Sequence, residues 1–263
     1  MCIVNAVGKG CLNVRTDVRT IQLLLNLNAP RIPGFVPLDP DGAIGQKTFK
    51  ALAAFGRAVL DPAAILDRVD VGSAALAALA AGLPAEFSAA KLHGVMVNAR
   101  RDRIASFFAP VRDVMIKYQI DSPLRQAHFL AQVGHESAEL LYVEEIANGD
   151  AYEGRLDLGN TEPGDGRRFK GRGLIQLTGR ANYRDYGATI GVDLEVNDNW
   201  KHVSTDPALT VDVAGWFWQK NDLNALADTD HVTLVTRRVN GGLNGLKDRT
   251  RQLRRAKFFL PVP

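Results

Sequence analysis

Apolar residues recur at three- and four-residue intervals along most of this chain, and strictly alternating apolar and polar residues are scarce. This period is typical of helices with one buried face, so the sequence predicts an all-α, mainly helical protein. The first helix is expected after Asp17, its predicted N-terminal cap, and another from Ser73 to Gly82, because Pro84 forbids continuation. The remaining predicted helices cover 48–60, 98–118, 123–133, 182–190, 206–219, 231–239 and 248–259.

Breaks in this pattern divide the chain into two predicted domains. Residues 1–84 form a unit of three helices, 85–90 a short connector, and 91–263 a larger domain. Within the larger domain, residues 148–173 are rich in Gly, Asp and Asn and lack a helical period. A long segment of this kind inside a folded domain is usually functional, so we expect it to contribute to a site.

Composition narrows the possible partners. The 263 residues carry a formal net charge of +3 with a pI near 8.9, too weakly basic to indicate nucleic-acid binding but suited to an anionic polymer such as a cell wall. No apolar run approaches the ~18 residues of a membrane span, and the N-terminus lacks a secretion-signal pattern, so we expect a cytosolic origin without membrane insertion. Cys2 and Cys11 could pair, but two free thiols are the favoured interpretation.

Two glutamates with different neighbours carry the candidate chemistry. Glu136 follows the apolar stretch 127–133, and Glu145 comes nine residues later beside Glu144. Apolar neighbours disfavour the charged form of a carboxyl, and glycoside hydrolysis uses one protonated and one ionised carboxyl group. At ~100° per residue, one straight helix would place Glu136 and Glu145 on nearly opposite faces, so a shared site requires a bend between them. Glu144 remains open as the second carboxylate, and either glutamate alone could be a solvated surface charge.

Several motifs surround these glutamates in a fixed order: His135-Glu136-Ser137, Ala151-Tyr152-Glu153-Gly154-Arg155, Asp157-Leu158-Gly159-Asn160, Phe169-Lys170-Gly171-Arg172-Gly173, Ile175-Gln176-Leu177-Thr178-Gly179-Arg180, Asn182-Tyr183 and Arg238-Val239-Asn240-Gly241-Gly242. Over about residues 91–259 the chain thereby resembles glycoside hydrolase family 19, and more narrowly the endolysins of phages that infect Gram-negative hosts. The resemblance implies a lysozyme-like helical fold and hydrolysis with inversion at the anomeric carbon.

The resemblance also implies roles for individual residues. Glu136 corresponds to the general acid, Glu145 to the general base, and Thr178 to the residue that helps to hold the attacking water. Substrate contacts are implied for Gln176, Asn182, Tyr183 and Asn240.

In this family a C-terminal arginine orients the acids, and we assign it to Arg254 first and to Arg255 second. For His135 we favour a hydrogen-bonded role in support of the acid over direct chemistry. His135-Glu136 also begins like the zinc-peptidase motif H-E-x-x-H, but position 139 is Glu139 and the second histidine is missing. We therefore expect no metal and no organic cofactor.

The first unit resembles the three-helix peptidoglycan-binding domain of wall hydrolases, on a pattern that includes Asp41-Gly42, Gly45 and Thr48. Asp-Gly favours a tight turn, and Gly45 is expected to permit a backbone approach that a side chain would block. Gly56 stands where that family commonly has glutamine, which puts the details of a binding groove in doubt. The alternative is that these residues only build a turn and cap a helix.

Together these observations predict a modular endolysin that cleaves the β-1,4 bond between N-acetylmuramic acid and N-acetylglucosamine. The expected partner is the glycan strand of peptidoglycan, and we expect a monomer. Without a signal, the protein would act from the host bacterial cytoplasm on the wall after the membrane is permeabilised. A chitinase and a non-catalytic wall-binding or phage structural protein remain the alternatives.

Overall fold

Helices dominate the computed structural model, which describes residues 2–260, as the hydrophobic period predicted. The described chain clusters into two units, one formed by residues 2–98 with 254–260 and the other by residues 99–253. Within residues 2–260, no helix combines the length and apolar character needed to cross a bilayer.

Within residues 2–98, the first unit contains four α-helices and a two-stranded antiparallel sheet. The helices are α1 (Arg15–Leu27), α2 (Gln46–Phe55), α3 (Ala74–Ala81) and α4 (Ala89–Val95), with a 3-10 turn at Ala29–Arg31 and a π-helical turn at Gly56–Leu60. The strands β1 (Val7–Gly8) and β2 (Arg68–Val69) pair Val7 with Val69.

The helix caps of this unit agree in part with the sequence. Ser73 caps α3 as predicted, because its side chain accepts a hydrogen bond from the Leu76 amide. The prediction that Asp17 caps α1 is wrong, since the helix already begins at Arg15. Asp17 is instead buried and accepts hydrogen bonds from the amides of Val4 at 3.0 Å and Asn5 at 2.9 Å, which ties down the N-terminal segment.

The first unit extends beyond the predicted boundary at residue 84. Within the expected connector 85–90, Ser88 already caps α4. A Cβ on Gly94 would clash with the ring of Phe259, and Arg255 donates to the carbonyl oxygens of Gly94 at 2.5 Å and Cys2 at 2.8 Å. Because these contacts are long-range, α4 and residues 254–260 belong with the N-terminal helices.

Both cysteines, which lie in this unit, are free thiols. Cys2 is buried, and this burial raises the pKa of its thiol to about 11.

The second unit is a helical assembly built around a central helix. Its helices are α5 (Arg101–Lys117), α6 (Pro123–Glu136), α7 (Asp165–Arg168), α8 (Arg180–Ile190), α9 (His202–Thr205), α10 (Pro207–Lys220), α11 (Leu223–Asp228), α12 (Val232–Asn240) and α13 (Leu246–Phe259), whose last turn clusters with the first unit. Helix α10 packs against α5, α9 and α11. Its buried Asp212 accepts hydrogen bonds from the hydroxyls of Tyr118 at 3.1 Å and Tyr186 at 3.0 Å, which joins α5 and α8 to α10.

Residues 137–179 connect α6 to α8 with little regular structure, and the predicted irregular stretch at 148–173 lies within them. Only α7 and 3-10 turns at Asp150–Tyr152 and Leu156–Leu158 interrupt the loop. Buried Asp165 anchors it through two hydrogen bonds from Arg180, at 2.7 and 2.6 Å. Burial alone would raise the pKa of Asp165, but the hydrogen bonds from Arg180 and the Glu162 amide hold that pKa below its ordinary value.

Candidate active site

Glu136, the last residue of α6, is held by a buried arginine. Its Oε1 accepts a hydrogen bond from Nη2 of Arg249, whose side chain is 2% exposed. Arg249 lies in the first turn of α13, and its Nε also donates to the carbonyl oxygen of Asn244 at 3.3 Å. Because the Arg249 guanidinium is buried, its charge is destabilising unless it keeps this carboxylate as a partner. The pair therefore holds the Glu136 carboxylate in place.

This contact corrects the sequence-based choice of the orienting arginine. Arg249 makes the ion pair with Glu136, whereas Arg254 is exposed and Arg255 donates to Gly94, Cys2 and Thr20. The residue types alone could not distinguish among the four arginines of α13.

His135 forms a second pair beside the first. Its Nδ1 lies 2.7 Å from Oδ2 of Asp248, the residue before Arg249. Two consecutive residues at the end of α6 therefore pair with two consecutive residues at the start of α13. A Cβ on Gly245 would clash with the His135 ring, so the glycine makes room for it. This arrangement agrees with a supporting role for His135.

The bend that the sequence required between Glu136 and Glu145 is a left-handed turn. Ala138, Glu139 and Leu140 have φ angles of +48°, +58° and +69°. None of them is glycine, so each bears the steric cost of the left-handed conformation. The Ser137 hydroxyl braces the turn, since it donates to the Val133 carbonyl at 2.7 Å and accepts from the Leu140 amide at 2.9 Å.

Glu145 is half-buried against a different set of partners. Its Oε1 accepts from the Tyr152 hydroxyl at 3.2 Å, and its Oε2 accepts from the Gly171 amide at 3.2 Å. The Glu145 amide in turn donates to the Gly171 carbonyl at 2.9 Å. Burial and the neighbouring carboxylate raise the pKa of Tyr152, which keeps the phenol protonated as a donor. Neutral donors thus orient Glu145, and within residues 2–260 no cation pairs with its carboxylate.

Glu144 has a structural role instead. Its carboxylate lies 3.1 Å from both Lys170 and Arg172 and accepts from the Ser204 hydroxyl at 3.0 Å. Although burial alone would raise the pKa of Glu144, these cations and the Ser204 hydroxyl hold it below its ordinary value. A carboxylate neutralised by two cations is a poor proton acceptor, so the geometry favours Glu145 over Glu144 as the base.

A tight hairpin brings Gln176 close to Glu145. Arg172 and Leu177 exchange backbone hydrogen bonds at 3.1 and 2.7 Å, and Gln176 between them has a φ of +57°. A Cβ on Gly171 would lie 2.7 Å from Gln176 Oε1 and 3.3 Å from Glu145 Oε2. A side chain at position 171 would displace the Gln176 amide from its place beside Glu145.

Thr178 and Asn182 continue from this hairpin. The Thr178 hydroxyl donates to the Gln176 carbonyl at 2.9 Å, and Asn182 Nδ2 donates to the Thr178 carbonyl at 2.8 Å. Both side chains are partly exposed. With its proton already committed, the Thr178 oxygen can accept a hydrogen bond from a water molecule.

Tyr183 and Asn240, for which the resemblance implied substrate contacts, make their hydrogen bonds within the protein. Tyr183 is fully buried, donates to the Lys170 carbonyl at 2.9 Å, and has a pKa raised by this burial. The expectation that Tyr183 binds substrate is therefore wrong; it supports the Lys170 segment from within the core. Asn240 accepts from the Gly242 amide at 2.8 Å and donates to the Asn244 carbonyl at 2.9 Å, which shapes the loop leading to α13.

In the first unit, Gln22 organises the predicted residues around it. Its Nε2 donates to Asp41 Oδ1 at 3.0 Å and Thr48 Oγ1 at 3.2 Å, and its Oε1 accepts from the Gly42 amide at 2.9 Å. The hydrogen bonds from the Ala43 amide and Gln22 lower the pKa of Asp41. Gln22 thus links the turn at Asp41-Gly42 to Thr48 in α2, and both Asp41 and Thr48 also line a groove.

The expected close backbone approach at Gly45 is absent. Its φ of −158° is ordinary extended backbone, and no described atom lies within 4 Å of the place that a Cβ would take. Gly45 instead borders a groove of about 790 Å³ formed by residues between Gln22 and Ala54. The groove carries apolar Val36 and Ile44 beside Lys47 and other charged groups.

Sequence reasoning overlooked Arg249, Tyr152 and Gln132 as contributors. Tyr152 lies within a quoted motif but offered no sign of its contact with Glu145. Gln132 is a polar residue four positions before Glu136 on an otherwise apolar stretch, which places both on one face of α6. That spacing was the available signal.

Comparison with known proteins matches residues 85–237 to the glycoside hydrolase family 19 model, described as chitinase class I. A glycosyl hydrolase family 19 domain-containing protein of Haemophilus influenzae is 34% identical over 163 residues, which cover 50% of this chain and 78% of that protein. An endochitinase of Arabidopsis thaliana is 35% identical over 138 residues, 52% of this chain but only 44% of the plant protein. Glu136, Glu145 and Thr178 lie inside the matched range, and Arg249 lies outside it.

Solved structures share the fold. Chitinase C from Streptomyces griseus superposes with a TM-score of 0.55 at 24% identity, over 66% of this chain and 76% of that chain. A class IV family 19 chitinase from Zea mays gives a TM-score of 0.53 at 22% identity, over 67% and 93% of the two chains.

The left-handed turn predicts a stabilising substitution. Ala138 is exposed and has a φ of +48°, so Ala138→Gly should raise the free energy of unfolding by about 1 kcal/mol, as the steric cost removed exceeds the entropy that glycine adds to the unfolded chain. The matched control Ala105→Gly, at an exposed position within α5, should lower it by about 0.5–1 kcal/mol. Urea denaturation measures the free energy of unfolding of both variants. An equal loss of that free energy in the two variants would contradict the left-handed conformation of Ala138.

Proposed function

Since the chain belongs to glycoside hydrolase family 19, chitinase class I, we propose that it cleaves the β-1,4 bond between N-acetylmuramic acid and N-acetylglucosamine in peptidoglycan, with inversion. The observation that supports hydrolysis by a pair of carboxylates is that two glutamates with unlike partners lie on either side of a left-handed turn. Glu136 contacts a buried guanidinium, and Glu145 contacts a tyrosine hydroxyl and a backbone amide. Groups in such different surroundings suit the roles of acid and base.

In the proposed reaction, Glu136 donates its proton to the leaving glycosidic oxygen. The Arg249 guanidinium then faces a fresh carboxylate and provides its counter-charge. Glu145 takes a proton from the water that attacks the opposite face of the sugar, and Thr178 accepts a hydrogen bond from that water. Gln176 and Asn182 offer amides for sugar contacts, with Gln176 nearest to the base.

The choice of peptidoglycan over chitin rests on the first unit and the charge. The groove between Gln22 and Ala54 offers a second binding surface, and the net charge of +3 suits an anionic wall. Binding through this unit would raise the local concentration of the enzyme at the glycan strands. With the motif resemblance to phage lytic enzymes, this supports an endolysin. We propose further that it is a monomer, needs no cofactor, and reaches the wall from the host cytoplasm after membrane permeabilisation.

A chitinase is the second candidate function, because the plant relatives are named endochitinases. Chitin and peptidoglycan share the β-1,4 linkage and the N-acetyl groups, so the same pair of carboxylates would serve either polymer.

Product analysis separates these functions. Purified peptidoglycan and chitin oligosaccharides are digested in parallel, and products are identified by mass spectrometry and by NMR of the fresh anomeric centre. We expect hydrated muramic acid ends formed first as the inverted anomer. Cleavage of chitin alone would make the protein a chitinase, 1,6-anhydro ends would make it a lytic transglycosylase, and new free amines would make it an amidase or peptidase.

Substitution of the three glutamates tests the assignment of roles. Glu136→Gln and Glu145→Gln should each lower kcat by about 10²–10⁴-fold, because each removes a proton-transfer group. Glu144→Gln is the matched control for the neighbouring base. It should keep kcat within about tenfold while lowering Tm, because it leaves Lys170 and Arg172 without their shared carboxylate. A folded Glu144→Gln variant as inactive as Glu145→Gln would move the base to Glu144.

Co-sedimentation with insoluble peptidoglycan tests the groove of the first unit. Val36→Asp places a charge on an apolar groove residue that is 76% exposed, and should weaken sedimentation about tenfold by desolvation of that charge. Leu12→Asp is the control, equally exposed at 79% in the same unit but outside the groove lining. Unchanged sedimentation of the Val36→Asp protein would remove the groove from wall binding.

A further inference from the structure

Arg249 is a buried cation whose guanidinium donates hydrogen bonds to one carboxylate and two neutral acceptors. Its Nη2 donates to the Glu136 carboxylate, its Nη1 donates to Oε1 of Gln132, and its Nε reaches a backbone carbonyl. Arginine stays protonated in proteins, so these acceptors must satisfy a permanent charge. Among the described residues, Glu136 is its one carboxylate partner. The other terminal nitrogen of the guanidinium, Nη1, donates to the neutral amide of Gln132.

Gln132 lies one helical turn before Glu136 on α6 and is fully buried. Its Nε2 has no hydrogen-bond partner within the described chain. The amide cannot be flipped to relieve this, because a guanidinium offers only donors and requires the oxygen. Leucine or methionine would remove this unsatisfied N–H, but it would leave the buried Nη1 of Arg249 without its acceptor. The Gln132 oxygen, and not the amide nitrogen, is therefore the atom that this position provides to its surroundings.

We propose that Gln132 is a positioning residue for the acid: it fixes the Arg249 guanidinium while contributing no charge, so that the full counter-charge is directed at Glu136. This rests on the proposed role of Glu136 as the proton donor. A carboxylate at position 132 would compete with Glu136 for the arginine. An apolar side chain would free one arm of the guanidinium, and the angle at which it meets Glu136 would no longer be set.

The test compares Gln132→Glu, Gln132→Met and Gln132→Leu with the unchanged protein, using kcat, KM, Tm and the pH profile of kcat/KM. Gln132→Leu and Gln132→Met should lower kcat about 10–100-fold, because misplacement near 1 Å costs this much. KM should change less than about threefold, since Gln132 has no exposed atom to touch sugar. Gln132→Glu restores an acceptor, so its kcat should lie between those of the parent and the leucine variant.

Gln132→Glu should also change the pH profile. Two carboxylates on one guanidinium repel each other, and the pair holds a proton to higher pH than a single carboxylate does. The basic limb of kcat/KM, which reports the proton donor, should move upward by about one pH unit. An unmoved limb would show that a charge at position 132 does not reach Glu136 through the shared guanidinium, which contradicts the proposal.

Gln252→Leu is the matched control, because Gln252 is also a buried glutamine whose Nε2 donates to a carboxylate, Glu139 Oε1, at 3.2 Å. It should lower Tm without moving the basic limb. If Gln132→Glu behaves in the same way, with only Tm lowered, the positioning role is overturned. Glu136→Gln, measured alongside, distinguishes a failure of the positioning role from a failure of the acid assignment. If Glu136→Gln is inactive but the pH profiles of the Gln132 variants do not move, only the positioning role is rejected. If Glu136→Gln retains activity, the acid assignment is rejected as well.

Discussion

The buried ion pair between Glu136 and Arg249 is the constraint on which the rest of the site depends. It joins the last residue of α6 to the first turn of α13, across a sequence separation of 113 residues. The neighbouring pair of His135 and Asp248 joins the same two helix ends. A buried ion pair is poor evidence for stability, because its desolvation cost rivals its attraction. Its presence at this junction is better explained by the need to hold one carboxylate in one orientation.

The rest of the site is arranged so that the second carboxylate meets a different environment. The left-handed turn at 138–140 redirects the chain after Glu136, and its three non-glycine residues add backbone strain. Beyond the turn, Glu144 forms ion pairs with Lys170 and Arg172. Glu145 faces neutral donors on Tyr152 and Gly171, so the adjacent glutamates have unlike partners.

The irregular loop between α6 and α8 supplies most of the partners of Glu145, and polar anchors stabilise it in place of regular secondary structure. Asp165 and Arg180 anchor one part of it, and the Glu153 carboxylate accepts from the amides of Gly164 at 2.6 Å and Gly166 at 2.8 Å in another. A loop held by charged hydrogen bonds can be rigid without a hydrophobic face. The position of this loop matters because Tyr152 and Gly171 both donate to Glu145 from within it.

The sequence by itself determined the helical class, most helix bounds within a few residues and the presence of a bend between Glu136 and Glu145. These features follow from local periodicity, from caps such as Ser73 and from the geometry of a helix. Only the tertiary structure decided that Arg249 meets Glu136, that Tyr183 is enclosed in the core, and that Asp17 binds the N-terminal segment instead of capping α1. Each of these depends on which residues distant in sequence come to face one another, and a side chain's chemistry is the same whether it points toward a partner, a core or water.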